Sequence, residues 1–246
     1  DVNGDGYSDV IIGAVGYNSG IDEGWAFVYY GSASGLSTIP NSTPDDADQA
    51  GADFGRSVSC AGDVNGDGYS DVIIGAAGYD DGANTNEGRA FLYYGSASGL
   101  STVPNSLLDD ANQALVYFGY SVACAGDVNG DGFSDLIIGA YNYDDGANTD
   151  EGMVFIYYGS AIGLSANPDS TPDDANQGGA NFGWSVACAG DVNGDGFSDV
   201  IIGAWLYDDA PNTNEGRAFV YHGSPTGLSA NPNSTPDDAD QVNASF

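Results

Sequence analysis

Four stretches of the chain place carboxylates where they could share one cation. The string D-V-N-G-D-G-(Y/F)-S-D begins at Asp1, Asp63, Asp127 and Asp191. Its pattern, D-x-N-x-D-G-x-x-D, sets side-chain oxygens at positions 1, 3, 5 and 9 and a backbone carbonyl at position 7. Hard cations of calcium size take about six to eight such oxygens at about 2.3–2.6 Å. The expected ligands are Asp1, Asn3, Asp5, the Tyr7 carbonyl and Asp9 in the first copy. In the second they are Asp63, Asn65, Asp67, Tyr69 and Asp71. The third offers Asp127, Asn129, Asp131, Phe133 and Asp135, and the fourth Asp191, Asn193, Asp195, Phe197 and Asp199. Glycine at position 6, Gly68 in the second copy, permits the sharp turn that gathers them.

An EF-hand would place a bidentate Glu at position 12. Ile12, Ile74, Ile138 and Ile202 stand there instead, so each loop must run straight into a strand. The competing reading is an Asn/Gly-rich turn whose Asp residues face solvent. Three carboxylates held within one turn repel each other unless a cation sits among them, which favours an ion. That ion is expected to be structural, about one calcium per copy. At a site dissociation constant near 0.1 mM and millimolar external calcium, each would add roughly 2 kcal/mol of stability.

The elements that must position these loops form a repeat. Its intervals are 62, 64 and 64 residues, the first being shorter because NSGIDEG follows Tyr17 where DDGANTNEG follows Tyr79. Each unit reads FGxSVxCAG, the acidic loop, D(V/L)IIGA, a polar loop ending Glu-Gly, AF(V/L)YYGS, then SGLSxxPNS and an acidic linker. Tyr, Val, Phe and Ile in short runs between Gly/Asn/Asp clusters predict strands. In the second unit these are Phe54–Ala61, Asp71–Ala76, Arg89–Gly95 and a weaker one near Leu100–Ser106, whose Pro suits an outer edge. Helical periodicity is absent. Four-stranded units that cannot bury both faces alone must stack, most commonly as a ring of blades. We expect an all-β, propeller-type array in one domain, 1–246. Its blades would span approximately 1–53, which lacks an inner strand, then 54–117, 118–181 and 182–245.

Phe54-Gly55 followed by Gly75-Ala76, with DVNGDGYSD between, resembles the FG-GAP repeat of the integrin α-subunit β-propeller. The pairs recur at Phe118-Gly119/Gly139-Ala140 and Phe182-Gly183/Gly203-Ala204, while the first unit has only Gly13-Ala14. The likeness covers essentially the whole chain. It implies calcium-loaded hairpins between strands. Two features depart from it. The usual Pro after Gly-Ala is replaced by Val15, Ala77, Tyr141 and Trp205, and the family's propellers generally have seven blades. Because Asp1 opens inside a motif and Phe246 opens a further Phe-Gly, the four units are expected to belong to a longer or assembled propeller.

Composition excludes several partners. The chain has 36 Asp+Glu against 3 Lys+Arg, a formal charge of -33, and no Lys. Nucleic acid and anionic membrane surfaces need the cations it lacks. No apolar run approaches the roughly 20 residues of a membrane span. With 41% hydrophobic residues, 12% of the chain being aromatic, a sizeable core is available despite the charge.

Comparing the copies shows where they differ. The residues after Phe-Gly are Arg56, Tyr120 and Trp184; those after Gly-Ala include Tyr141 and Trp205; those after Glu-Gly are Trp25, Arg89, Met153 and Arg217. Tyr117 and Leu115 depart from the linker pattern. All adjoin the face away from the acidic loops. Trp25, Arg56, Tyr117, Tyr120, Tyr141, Trp184 and Trp205 are therefore candidates for a ligand face, against the alternative of aromatic packing between blades. Cys60, Cys124 and Cys188 occupy one position of the repeat and are expected to be buried free thiols, too far apart to bridge. His222 replaces Tyr30, Tyr94 and Tyr158 as a packing variant. Glu23, Glu87, Glu151 and Glu215 recur in every copy, as hydrogen-bond acceptors for loop amides would. Asn41, Asn233 and Asn243 match glycosylation acceptors.

No unique Ser/His/Asp set, Cys–His pair or phosphate loop breaks the repeat, so no enzyme is expected. The function expected is a calcium-binding interaction or structural module, extracellular or at the cell surface, acting in adhesion or in surface or filament assembly. Its partner would be a protein or a second copy, with no membrane insertion and no nucleic acid. The alternative is a carbohydrate-binding propeller that stacks glycan rings on the aromatic loop residues.

Overall fold

The computed structural model describes residues 1–17, 23–44, 47–109, 111–173 and 175–236. Its strands, in chain order, are β1 (Val10–Ala14), β2 (Trp25–Tyr29), β3 (Phe54–Gly62), β4 (Asp71–Ala76), β5 (Arg89–Tyr93) and β6 (Ser106–Leu108). They continue with β7 (Ser121–Gly126), β8 (Asp135–Ala140), β9 (Met153–Tyr157), β10 (Phe182–Gly190), β11 (Asp199–Ala204) and β12 (Arg217–Tyr221). All pairings between strands are antiparallel, giving one small sheet per repeat: β1-β2, β3-β4-β5-β6, β7-β8-β9 and β10-β11-β12. The protein is an all-β, propeller-type array of four blades.

The core lies between blades. Val2, Ala26 and Val28 of the first pack with Phe54, Val72 and Ile74 of the second. Ile73 and Ala90 of the second meet Phe118, Val122 and Ile138 of the third. Ile137 and Val154 of the third meet Phe182, Val186 and Ile202 of the fourth. At roughly 1.5–3 kcal/mol for each large apolar side chain buried, a blade on its own would forgo most of its stabilisation. The Phe-Gly and Gly-Ala pairs bring the backbones of neighbouring blades into close contact. A Cβ on Gly75 would stand 1.9 Å from the Gly119 carbonyl, and one on Gly139 would stand 2.0 Å from that of Gly183. Only glycine permits that approach.

Three strand expectations need correction. The inner strand runs one residue further, to Gly62, and the third ends at Tyr93 instead of Gly95. The fourth strand is not Leu100–Ser106 but Ser106–Leu108, and in the other blades it shrinks to single bridges, Val28 with Ser42, Ile156 with Ser170 and Val220 with Ser234. Proline explains this. Pro44, Pro172 and Pro236 stand where the second blade has Leu108, so those copies lack the N–H that would continue the ladder. The thiols are free, but they are not all buried: Cys60 and Cys188 are exposed and Cys124 is half-buried. The inner strand keeps one side open, and an apolar residue type alone does not reveal that. Asn243 and Phe246 lie outside the described residues.

Candidate functional site

In the first blade the acidic loop leads into β1; in the last three it joins the inner strand to the next, β3 to β4 in the second blade. The Asp63 carboxylate folds it: Oδ1 accepts the Gly66 and Asp67 amides at 2.7 and 3.1 Å, and Oδ2 accepts that of Gly68 at 2.9 Å. Asn65 Oδ1 accepts the Asp67 amide at 3.0 Å, and Asp67 Oδ1 accepts that of Tyr69 at 3.0 Å. Gly68 has φ 90°, the left-handed region expected at position 6. Asp1, Asp127 and Asp191 repeat this pattern with their own loop amides. Loop amides hold the exposed Asp191 carboxyl below its ordinary range, that of Gly196 most strongly.

Position 9 anchors the loop to the blade. Asp71 is fully buried, and its oxygens accept the Val64 amide at 2.9 Å and the Gly95 amide at 3.0 Å. Asp135 and Asp199 make the equivalent bonds to Val128 and Gly159 and to Val192 and Gly223. Asp9 bonds Val2 and Gly31 in the same way but is only half-buried, because the first blade lacks an inner strand. Burial pushes the Asp71 and Asp135 carboxyls up to about 7, despite these hydrogen bonds, and the neighbouring loop carboxylates add to the rise.

Among the described residues, no three Asp, Glu, His or Cys side chains form a ready-made metal cage. The donor set nevertheless suits a hard cation. It is made only of oxygens, it includes a buried carboxylate that is costly to ionise alone, and it is held in a backbone turn that leaves further lone pairs on each carboxylate.

The opposite ends of the same hairpins carry the variable residues. Tyr120 lies 4.6 Å from Tyr141 and 4.8 Å from Trp184 between ring centroids. Tyr141 is 4.8 Å from Trp184 and stacks on Tyr117 at 5.3 Å, and Trp184 stacks on Trp205 at 4.5 Å. Arg56 lies 4.3 Å above the Tyr120 ring and donates to its hydroxyl. Six of the seven expected face residues thus form one half-exposed cluster crossing three blades. Trp25 does not join it. It lies 4.7 Å from Tyr17 in its own blade and donates to Glu23. Arg89 over Tyr79 and Arg217 over Tyr207 occupy the same position of the repeat. Those two guanidiniums also pair with Asp109 and Asp209. The recurring Glu residues are buried, and Glu87 accepts the Asn112 amide at 2.7 Å and Asn84 Nδ2 at 3.0 Å.

The profile of the FG-GAP repeat matches residues 54–93, 118–157 and 182–221, the three copies that have an inner strand. The chain carries three FG-GAP repeats. Integrin alpha pat-2 of Caenorhabditis elegans is 33% identical over 225 residues, 85% of this chain and 18% of the relative. Integrin alpha-4 of Xenopus laevis is 35% identical over 162 residues, 65% of this chain and 15% of the relative. Phosphatidylinositol-glycan-specific phospholipase D of Bos taurus is 37% identical over 149 residues, 58% of this chain and 17% of the relative. Among solved structures, rhamnogalacturonan lyase YesW aligns with 92% of this chain and 45% of its own at TM-score 0.46 and 12% identity, too loosely to bear on function. The FG-GAP chain described here therefore spans less than a fifth of these curated relatives.

Proposed function

We propose that this chain is a calcium-stiffened interaction module of an extracellular or cell-surface protein, acting in adhesion or surface assembly. One observation carries the reading. The same oxygen-rich loop recurs four times, with a carboxylate at its base buried in three copies and half-buried in the first. Asp1, Asn3, Asp5, the Tyr7 carbonyl and Asp9, with their counterparts in the other copies, would hold the ions. A divalent cation supplies positive charge that offsets carboxylate repulsion. The loop residues supply the turn, through Asp-to-amide bonds, and its attachment to the next strand, through the position-9 carboxylate. The module takes part in no chemical step. Weak, repeated calcium sites suit the millimolar calcium outside cells. The integrin α chains among the relatives support a surface setting, although a phospholipase shares the repeat as well. Native mass spectrometry in calcium and in chelator tests this: four ions in the first condition and none in the second are expected. A chain that binds no calcium at millimolar concentration would end the proposal.

The aromatic cluster favours a second reading, carbohydrate binding, because Trp205 is exposed at its edge and offers a ring to a sugar. Glycan-array binding that Trp205→Ala removes would support it. An array without any signal would leave the protein-partner reading.

A further inference from the structure

Each acidic loop is closed mainly by its own amides, yet it is also fastened to the next loop by contacts that repeat at every junction. The first is a ring on a glycine. The aromatic at position 7 of one loop lies over the glycine at position 4 of the loop before it. A Cβ added to Gly4, Gly66 or Gly130 would stand 2.5, 2.4 or 2.3 Å from the ring of Tyr69, Phe133 or Phe197. The second is a backbone bond to the residue that opens the preceding loop. Position 8, set between two proposed ligands, donates its amide to the position-1 carbonyl of that loop: Ser70 to Asp1 at 3.0 Å, Ser134 to Asp63 at 3.0 Å and Ser198 to Asp127 at 2.9 Å. At the middle junction the bond is returned, the Asp63 amide donating to Ser134 Oγ at 3.2 Å.

The third contact joins the position-9 carboxylates in series. Asp199 Oδ1 accepts the Gly223 amide at 2.9 Å, and the adjoining Ser224 amide donates to the Val128 carbonyl at 3.0 Å. The Val128 amide in turn donates to Asp135 Oδ2 at 2.8 Å. The same steps run from Asp135 through Gly159, Ser160 and Val64 to Asp71. They run again from Asp71 through Gly95, Ser96 and Val2 to Asp9. One file of peptide groups therefore threads all four loops. Val64 and Val128 are fully buried, so water cannot replace a bond lost there. Opening one loop frees the amide that its position-9 carboxylate holds, and the neighbouring serine amide moves with it. The position-2 carbonyl of the loop before is then left as a buried acceptor without a donor, which is costly.

We infer that the four loops close, and take up calcium, as a coupled series in which each favours the closed form of its immediate neighbours. This rests on the calcium reading proposed above and adds how the sites influence one another. Each loop has two states: the closed turn, and an opened turn whose position-1 and position-9 carboxylates have released their amides. Carboxylates gathered on an ion hold their own loop closed, and with it the carbonyl, amide and ring shared with the next loop. Linkage makes the effect mutual, so a filled loop should raise the affinity of its neighbour about 10-fold. The first and third loops make none of these contacts with each other and should respond only through the second.

The test breaks one loop and follows the others in the full chain. Asp131→Ala removes a proposed ligand of the third loop and the acceptor of the Phe133 amide. Native mass spectrometry across a calcium titration should count one ion fewer than in the wild type, with the midpoint for at least two of those remaining raised about 10-fold. Peptide-resolved hydrogen exchange at saturating calcium should quicken about 10-fold in residues 63–71 and 191–199, and not in 1–9. Asp195→Ala repeats the design in the fourth loop should the first variant fail to fold, and should quicken 127–135 while sparing 63–71. Exchange that quickens only within the broken loop, with the other ions at wild-type midpoints, overturns the coupling. So does equal quickening in all four loops, which is loss of the whole fold and not of a neighbour. A chain that takes up no calcium defeats both readings, whereas one that fills its loops independently defeats the coupling alone.

Discussion

The two ends of each hairpin obey different constraints. At the β3–β4 turn and its counterparts, the loop is nearly identical in four copies. Each loop is closed mainly by its own residues: one Asp accepts three loop amides, and another ties the loop to its own blade. At the other end, Arg56, Tyr120 and Trp184 and Ala77, Tyr141 and Trp205 differ from copy to copy. There the partners come from adjacent blades, as Tyr120 with Trp184 and Arg56 with Tyr120 show. A self-contained loop tolerates little change, because losing one of these oxygens leaves a loop amide without its partner. A shared, half-exposed surface can change by exchange between neighbours, so variation collects at this end, while the buried contacts between blades, Phe54, Phe118 and Phe182 among them, repeat unchanged.

The largest expected effect tests the loop end. Removing calcium should cost about 7 kcal/mol over four sites at millimolar free ion, comparable to a domain's net stability. Calorimetry in calcium and in chelator should show a transition lowered by tens of degrees. Equal transitions would detach the loops from stability altogether. A single loop can be broken next. Asp135→Asn keeps the shape but gives one of the two amides, Val128 or Gly159, an NH₂ to face instead of an oxygen. The expected loss is about 3 kcal/mol, together with one bound ion of four. A variant with all its ions and wild-type stability would remove position 9 from the ligand set.

The loops were legible because their information is short-range: nine residues contain both the turn and the proposed donors. The blades were legible because the repeat was. The aromatic cluster was readable only as columns of variable residues. That the columns touch depends on the Gly75–Gly119 and Gly139–Gly183 crossings, which bring Tyr141 beside Tyr120 and Trp184. Trp25 stands apart from the cluster because its column faces the loop tyrosine of its own blade, as Arg89 faces Tyr79. The fourth strand was expected around Pro104, whereas pairing begins after it, at Ser106–Leu108. In the other blades Pro44, Pro172 and Pro236 still accept a bond at their carbonyls but lack the N–H that Leu108 has, so the ladder there is shorter.

At the aromatic end, position within the cluster should decide the effect. Trp184 touches Tyr120, Tyr141 and Trp205, whereas Trp205 stacks on Trp184 and is 36% exposed. Trp184→Ala should cost about 2 kcal/mol and Trp205→Ala about 1 kcal/mol by urea denaturation, both less than full burial would give. Equal losses would mean that the rings act separately and not as one packed group.

The smallest effect is a pH dependence confined to this face. Burial, then the neighbouring phenols of Tyr117 and Tyr120, push Tyr141 up to about 12 from the ordinary 10.0, while Arg56 opposes them. The folded state therefore holds the phenol proton more tightly than the unfolded chain does. The stabilisation this gives is fully present below pH 10.0 and is lost as pH rises through about 12. The ring is half-exposed, so after allowance for solvent screening its share is about 1 kcal/mol. Urea denaturation at several pH values from 9 to about 12 should show a steeper loss for the wild type than for Tyr141→Phe, which has no proton to release there. Parallel curves would mean that Tyr141 titrates as it does in water. The cluster would then be open enough for solvent to reach its centre, unlike the buried Asp71, Asp135 and Asp199 carboxylates at the other end of the same strands.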